Sequence, residues 1–186
     1  MSKLVGTWKC KLVAELNPEE DKALLEIIAK VQPHVIGAVW TPLRICYQIV
    51  NGINFKITYV VTTVTHPPKQ TLVEIEGHMA TDGTITRKPT EIIAELGTNR
   101  LLVGGWSPYR PVTKADIEVL NAANNIGVHR VPIAVSTQVV SGTNYHFICV
   151  SQVPGTTETY LELVTVYEPI NGEPRITKIE RLPLVA

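Results

Sequence analysis

Runs of like charge are missing from this chain of 186 residues, and so is any apolar run of membrane-spanning length. Lys plus Arg equals Asp plus Glu at 17 each. With no basic stretch, neither nucleic acid nor an anionic membrane has an electrostatic reason to bind. Without about 20 consecutive apolar residues, no helix is expected to span a bilayer. Glycosylation acceptors of the Asn-x-Ser/Thr type are lacking as well. Cysteine is scarce: Cys10, Cys46 and Cys149 are an odd number in non-equivalent places. Small secreted modules usually pair their cysteines, so a reducing, cytoplasmic compartment is expected. The start, Met1-Ser2-Lys3-Leu4-Val5-Gly6, is too poor in apolar residues for a signal peptide and points the same way.

Catalytic devices are also thin. Gly105-Trp106-Ser107-Pro108-Tyr109 lacks the closing glycine of a nucleophile elbow. Cys149 lies mid-strand, which predicts a buried thiol rather than a nucleophile. His34, His66, His78, His129 and His146 show no metal-ligand spacing, and no glycine loop suits a phosphate. No catalytic residue, metal or cofactor is expected, and the protein is not read as an enzyme.

What the chain does have is Val, Ile and Thr in quantity, which favour strands, and an internal repeat. Gln48-Ile49-Val50-Asn51-Gly52-Ile53-Asn54-Phe55 returns as Gln138-Val139-Val140-Ser141-Gly142-Thr143-Asn144-Tyr145. Each is a branched apolar run, a turn glycine and a return to strand-like sequence, the pattern of a hairpin tip. A second anchor is Leu4-Val5-Gly6-Thr7-Trp8 against Leu102-Val103-Gly104-Gly105-Trp106. The two offsets differ, so the first copy holds extra chain between Trp8 and Gln48. Two domains are expected, 1–97 and 98–186, joined through Gly97-Thr98-Asn99-Arg100.

Asn17-Pro18-Glu19-Glu20 reads as a helix start, and Leu24, Ile27, Ile28 and Val31 form one apolar stripe that Pro33 stops. Thr113 with Asp116 predicts a capping box ahead of a weaker stripe, Ile117, Leu120 and Ala123. Pro42 and Pro132 sit at matching places in the two copies, followed by Leu43 or Ile133 and Ile45 or Val135, so one strand face matches in both. A second turn follows in each copy, Asp82-Gly83 and Asn171-Gly172, both favoured hairpin pairs. The fold class expected is α+β: strand, helix, then four hairpin-linked strands in each copy, with the helix covering one face of the sheet.

With these motifs in order, the chain resembles the cystatin superfamily, inhibitors of papain-like cysteine proteases. The family pattern is a trunk glycine, a Gln-x-Val-x-Gly first hairpin and a second hairpin bearing Pro-Trp or an equivalent. The second copy has Gly104, Gln138-Val139-Val140-Ser141-Gly142 and Pro169-Ile170-Asn171-Gly172 in that order, and its strings look most like plant members, which lack disulfides. Ile170 stands where the family has tryptophan. The first copy carries Ala80-Thr81-Asp82-Gly83 at the second turn, without proline or a large apolar group. The resemblance implies two cystatin-like repeats, each an antiparallel sheet of four to five strands wrapped on one helix.

It also implies reversible inhibition of papain-like proteases of the cathepsin class. Their groove would be filled by Leu102, Val103, Gly104, Gln138, Val139, Val140, Ser141, Gly142, Pro169 and Ile170. A secondary set is Leu4, Val5, Gly6, Gln48, Ile49, Val50, Asn51 and Gly52. Turn glycines would let the tips enter a narrow slot where a β-carbon clashes. The alternative is a non-inhibitory tandem interaction module, or an inhibitor of another class such as metallocarboxypeptidases. Domain-swapped self-association stays open, as does a legumain-type site at Asn124-Asn125, just after the second helix.

Overall fold

The computed structural model describes residues 6–98, 104–123 and 128–183. The chain divides into two compact units, 1–64 with 71–95, and 65–70 with 96–186. In the first, β1 (Lys9–Leu12) is followed by a 3-10 turn (Val13–Glu15), α1 (Lys22–Val31), β2 (Ala38–Val50), β3 (Gly52–Thr63), β4 (Lys69–Met79), β5 (Ile85–Arg87) and β6 (Glu91–Thr98). These strands pair in the order β1-β2-β3-β4-β5, with β6 also on β4. The second unit has β7 (Arg110–Pro111), α2 (Lys114–Ala123), β8 (Arg130–Val140), β9 (Gly142–Gln152), β10 (Thr159–Glu168) and β11 (Arg175–Arg181), ordered β11-β10-β9-β8-β7. No helix among the described residues is long and apolar enough to cross a membrane.

The expected α+β class, two cystatin-like repeats of four to five strands wrapped on a helix, is corrected by this architecture. The described residues are mostly antiparallel β, 52% strand against 14% helix, in one sheet of six strands and one of five. Element length explains the outcome. A ten-residue helix reaches about 15 Å, whereas the 13-residue β2 extends about 43 Å. Such a helix covers only part of its sheet, and the sheet dominates. The sixth strand arises at Pro89, between β5 and β6: proline has no amide to donate, so the edge opposite β4 is broken in two.

In the first unit the apolar stripe Leu24, Ile27, Ile28 and Val31 is buried and meets Ile45, Phe55, Ile57, Tyr59, Val73 and Ile75 in one core cluster. Helix α1 begins later than its Asn-Pro signal. The Asn17 side chain accepts from the Glu19 and Glu20 amides at 2.9 and 3.2 Å, so it caps the turn before the helix instead. That turn and the 3-10 segment form extra chain in the first unit. In the second unit Asp116 and Thr113 do form a reciprocal box, Thr113 N to Asp116 Oδ2 at 2.7 Å and Asp116 N to Thr113 Oγ1 at 3.3 Å. Arg110 adds a two-pronged ion pair to the same carboxylate, at 2.7 and 3.0 Å. Pro42 and Pro132 each sit at a register shift, leaving Leu43 and Ile133 as extra, buried residues.

Two of the three cysteines depart from expectation, whereas Cys149 is the buried, mid-strand thiol expected. Cys10 and Cys46 face each other in the β1–β2 ladder and form a disulfide, while Cys149 is fully buried. The partners lie 36 residues apart, and the strand register is what brings them together. Burial pushes the Cys149 thiol up to about 12, so it stays protonated.

Candidate interaction site

At one end of each sheet, a trunk glycine, the first hairpin tip and the second turn come together. The tips are tight. Val50 pairs with Gly52 across Asn51, and Val140 with Gly142 across Ser141. The described trunk begins at Gly6 in one unit and Gly104 in the other. Leu4, Val5, Leu102 and Val103 lie outside the described residues, as do Asn124 and Asn125.

A single side chain joins trunk to tip in both units. Gln48 Nε2 donates to the Gly6 carbonyl at 2.7 Å, and its Oε1 accepts from Asn54 Nδ2 at 3.0 Å. Gln138 Nε2 donates to the Gly104 carbonyl at 2.7 Å, and its Oε1 accepts from Asn144 Nδ2 at 2.9 Å. Each glutamine thus satisfies both ends of its amide, and the paired asparagine comes from the returning strand. In the first unit the chain of bonds goes one strand further, from Asn54 Oδ1 to His78 Nδ1 at 2.8 Å on β4. Tyr167 takes the corresponding place in the second unit. Its hydroxyl donates to the Ser141 carbonyl, and the Arg175 guanidinium sits 5.5 Å from its ring. Tyr145 adds a bond from its hydroxyl to Glu168 Oε2 at 2.6 Å, which, after burial, helps push the phenol up to about 12.

The turn glycines have a reason inside the molecule. Gly52 and Gly142 hold φ of 107° and 113°, a region unfavourable for residues with a β-carbon. A β-carbon on Gly142 would stand 2.3 Å from the Glu168 carbonyl oxygen, and one on Gly52 would stand 2.2 Å from that of Met79. Close packing of the two hairpins therefore requires glycine here before any partner arrives.

Behind the trunk, a tryptophan lies on the sheet. Trp106 stacks on His146 with ring centroids 3.5 Å apart, and Trp8 lies over Lys56 Nζ at 5.8 Å. Burial drives the His146 imidazole down to about 4, with Glu180 opposing and Lys178 assisting. Ser107 continues the anchor: its amide donates to Thr137 O at 2.7 Å, and its hydroxyl accepts from Thr137 N at 2.9 Å. Composition alone cannot assign these tryptophans, because the residue each one covers sits about 40 to 50 positions away along the chain.

The tip side chains are apolar and open. Val139 is 74% exposed, Val140 44% and Ile170 76%, with Ser141 exposed and Pro169 half-buried between them. In the first unit Ile49 is 63% exposed and Asn51 exposed, Val50 is half-buried, and the second turn presents Thr81 and Asp82. Asp82 Oδ1 accepts from the Thr84 amide at 2.9 Å, which holds that carboxyl below its usual range.

No protein-family model matches the chain, and no curated protein matches it. Among the described residues, no group of three or more His, Cys, Asp and Glu side chains is placed to hold a metal ion. What the arrangement offers in the second unit is an exposed apolar edge of Val139, Val140 and Ile170 on tightly closed turns.

Proposed function

We propose that this protein is a reversible inhibitor of papain-like cysteine proteases, with the second unit as its stronger head. One observation carries the reading: a single glutamine, Gln138, locks the Gly104 trunk to a hairpin whose valines are exposed, and Gln48 repeats the device at Gly6. Large exposed apolar side chains cost solubility and mark interaction surfaces when they cluster. A papain-like groove is narrow, and a blocker must fill it without offering a peptide carbonyl to the thiolate. Tips closed by glycine, with no loose loop to extend, meet that demand. Because the sheet preforms them, little entropy is lost on docking. The motif resemblance to cystatin-superfamily inhibitors supplies the partner class.

Disulfides persist in oxidising surroundings, so the Cys10–Cys46 bond supports an oxidising or redox-variable setting over the reducing cytoplasm.

Hydrogen exchange on mixing with a papain-like protease tests the site. Protection is expected at Gly104, 138–145 and 168–172, and it should vanish when a small peptidyl inhibitor already fills the groove. Protection elsewhere, or protection that persists with the groove filled, would assign the interaction to another surface.

A further inference from the structure

The two heads share the glutamine anchor, but beyond it their trunks are secured by different chemistry. In the second unit the trunk is held without covalent bonds, by the Trp106–His146 stack, the Ser107–Thr137 pair and the Ser136 hydroxyl on the Ser107 carbonyl. Its one cysteine, Cys149, is fully buried. In the first unit the trunk leads into β1, an edge strand of four residues with β2 as its neighbour. The Cys10–Cys46 disulfide crosses that ladder four residues from Gly6, and the Gln48 anchor lies two residues from Cys46 on the facing strand. Cys10 is exposed and Cys46 half-buried, so a thiol in solution can reach the bond. Exposed disulfides are the ones that exchange most readily.

We propose that the Cys10–Cys46 disulfide is a thiol-operated clamp on the first head, which small dithiols or dithiol proteins release while the second head is untouched. A thiolate of the reductant attacks Cys10 Sγ, and Cys46 leaves as a thiolate and takes up a proton. The second thiol of the reductant then displaces Cys10 from the mixed disulfide. Two electrons pass to the protein, the reductant ends as its own disulfide, and two cysteine thiols remain. With the cross-link gone, β1 is held by its ladder, the buried Leu12 and the Lys11–Asp21 ion pair at 2.7 Å. The ion pair and Leu12 secure the end of β1 away from the trunk. The end beside Gly6 keeps only the Gln48 bond and the Trp8–Lys56 contact, so it frays first and the trunk loses its position against the Gln48 hairpin.

The consequence for binding rests on the inhibitor reading, whereas the clamp itself is measured independently of it. Hydrogen exchange of the intact chain is compared in three forms: oxidised, reduced with dithiothreitol, and carrying Cys10→Ser with Cys46→Ser. Exchange across 6–12 should rise about tenfold or more in the last two, with 104–111 unchanged. Binding of papain is then measured for the oxidised and the double-serine chains, both with the second head silenced by Val139→Arg. The serine form should bind about tenfold more weakly. Equal exchange in all three forms overturns the clamp, and so does faster exchange with equal papain affinity. If neither chain binds papain, the inhibitor reading fails for this head, and the exchange result alone decides the clamp.

Discussion

Gln138 reaches across 34 residues of sequence to hold the Gly104 carbonyl at 2.7 Å, and Gln48 holds Gly6 at the same distance. The first head therefore has the same trunk anchor as the second, although its second turn is polar. Replacing Gln138 by Ala removes two hydrogen bonds, each worth about 0.5–1.5 kcal/mol. The expected result is a folded chain with roughly tenfold weaker binding through the second head. Gln138→Glu should behave similarly, since a carboxylate still accepts from Asn144 but cannot donate to Gly104. Unchanged affinity in both variants would show that the trunk needs no anchor.

Gly142→Ala tests the packing of the two hairpins. Positive φ costs a residue with a β-carbon about 1–2 kcal/mol, and the Glu168 carbonyl at 2.3 Å adds a clash. Urea unfolding should show a loss above 2 kcal/mol, by order of magnitude, from strain plus overpacking. Gly104→Ala is the control, since nothing lies within 4 Å of its β-carbon. Its loss should stay near the backbone term alone, about 1–2 kcal/mol. Equal losses at the two sites would mean that hairpin contact contributes nothing.

Several parts of this molecule were legible in the residues. The stripe Leu24, Ile27, Ile28 and Val31 marked the buried face of α1, and the glycines marked both hairpin turns. The residues of the first hairpin and second turn lie at one end of each sheet because each sits at a turn, and the glutamines bring Gly6 and Gly104 to them. Other parts depend on register, which local sequence does not carry. The bond between Cys10 and Cys46 needs the β1–β2 ladder. The glutamine anchors need the trunk to run beside the first hairpin. The balance of sheet over helix followed from strand lengths that hairpin signals alone understate, and β6, beyond Pro89, adds a strand that no turn signal announced. The internal reason for Gly142 was hidden in the same way: its neighbour is Glu168, a contact made only by the folded sheet.

Acid should weaken the second unit. The His146 imidazole sits near 4 when folded against 6.5 for the free residue, chiefly because it is buried, in contact with Trp106. A depressed histidine contributes stability that is present above about pH 6.5 and lost as pH falls toward 4, because the unfolded chain takes up the proton first. Asp116 acts in the same direction at lower pH. Burial raises its pKa, but the bonds from Arg110 and Thr113 outweigh that and hold it down. Urea midpoints should therefore fall between pH 6.5 and 4, and His146→Phe should flatten that decline. A parallel decline in the variant would remove His146 from the account.

Ile170 should matter for binding and not for stability. At 76% exposure its side chain supports little of the core. Filling a partner's pocket with it is worth roughly 1.5–3 kcal/mol. Ile170→Ala is expected to leave unfolding unchanged and weaken the second head by about ten- to a hundredfold. The first head has Thr81 and Asp82 at this turn, so the same arithmetic ranks it below the second. With Val139→Arg silencing one head and Ile49→Arg the other, equal residual affinities would contradict that ranking.

The central claim is that the hairpin end of each sheet fills a papain-like groove. Steady-state hydrolysis of a small substrate by papain, titrated with the intact chain, measures this directly. The account predicts reversible competitive inhibition below micromolar protein, abolished when Val139→Arg and Ile49→Arg are combined, with the chain recovered uncut. Full protease activity at micromolar protein, or inhibition that survives the double substitution, would contradict it.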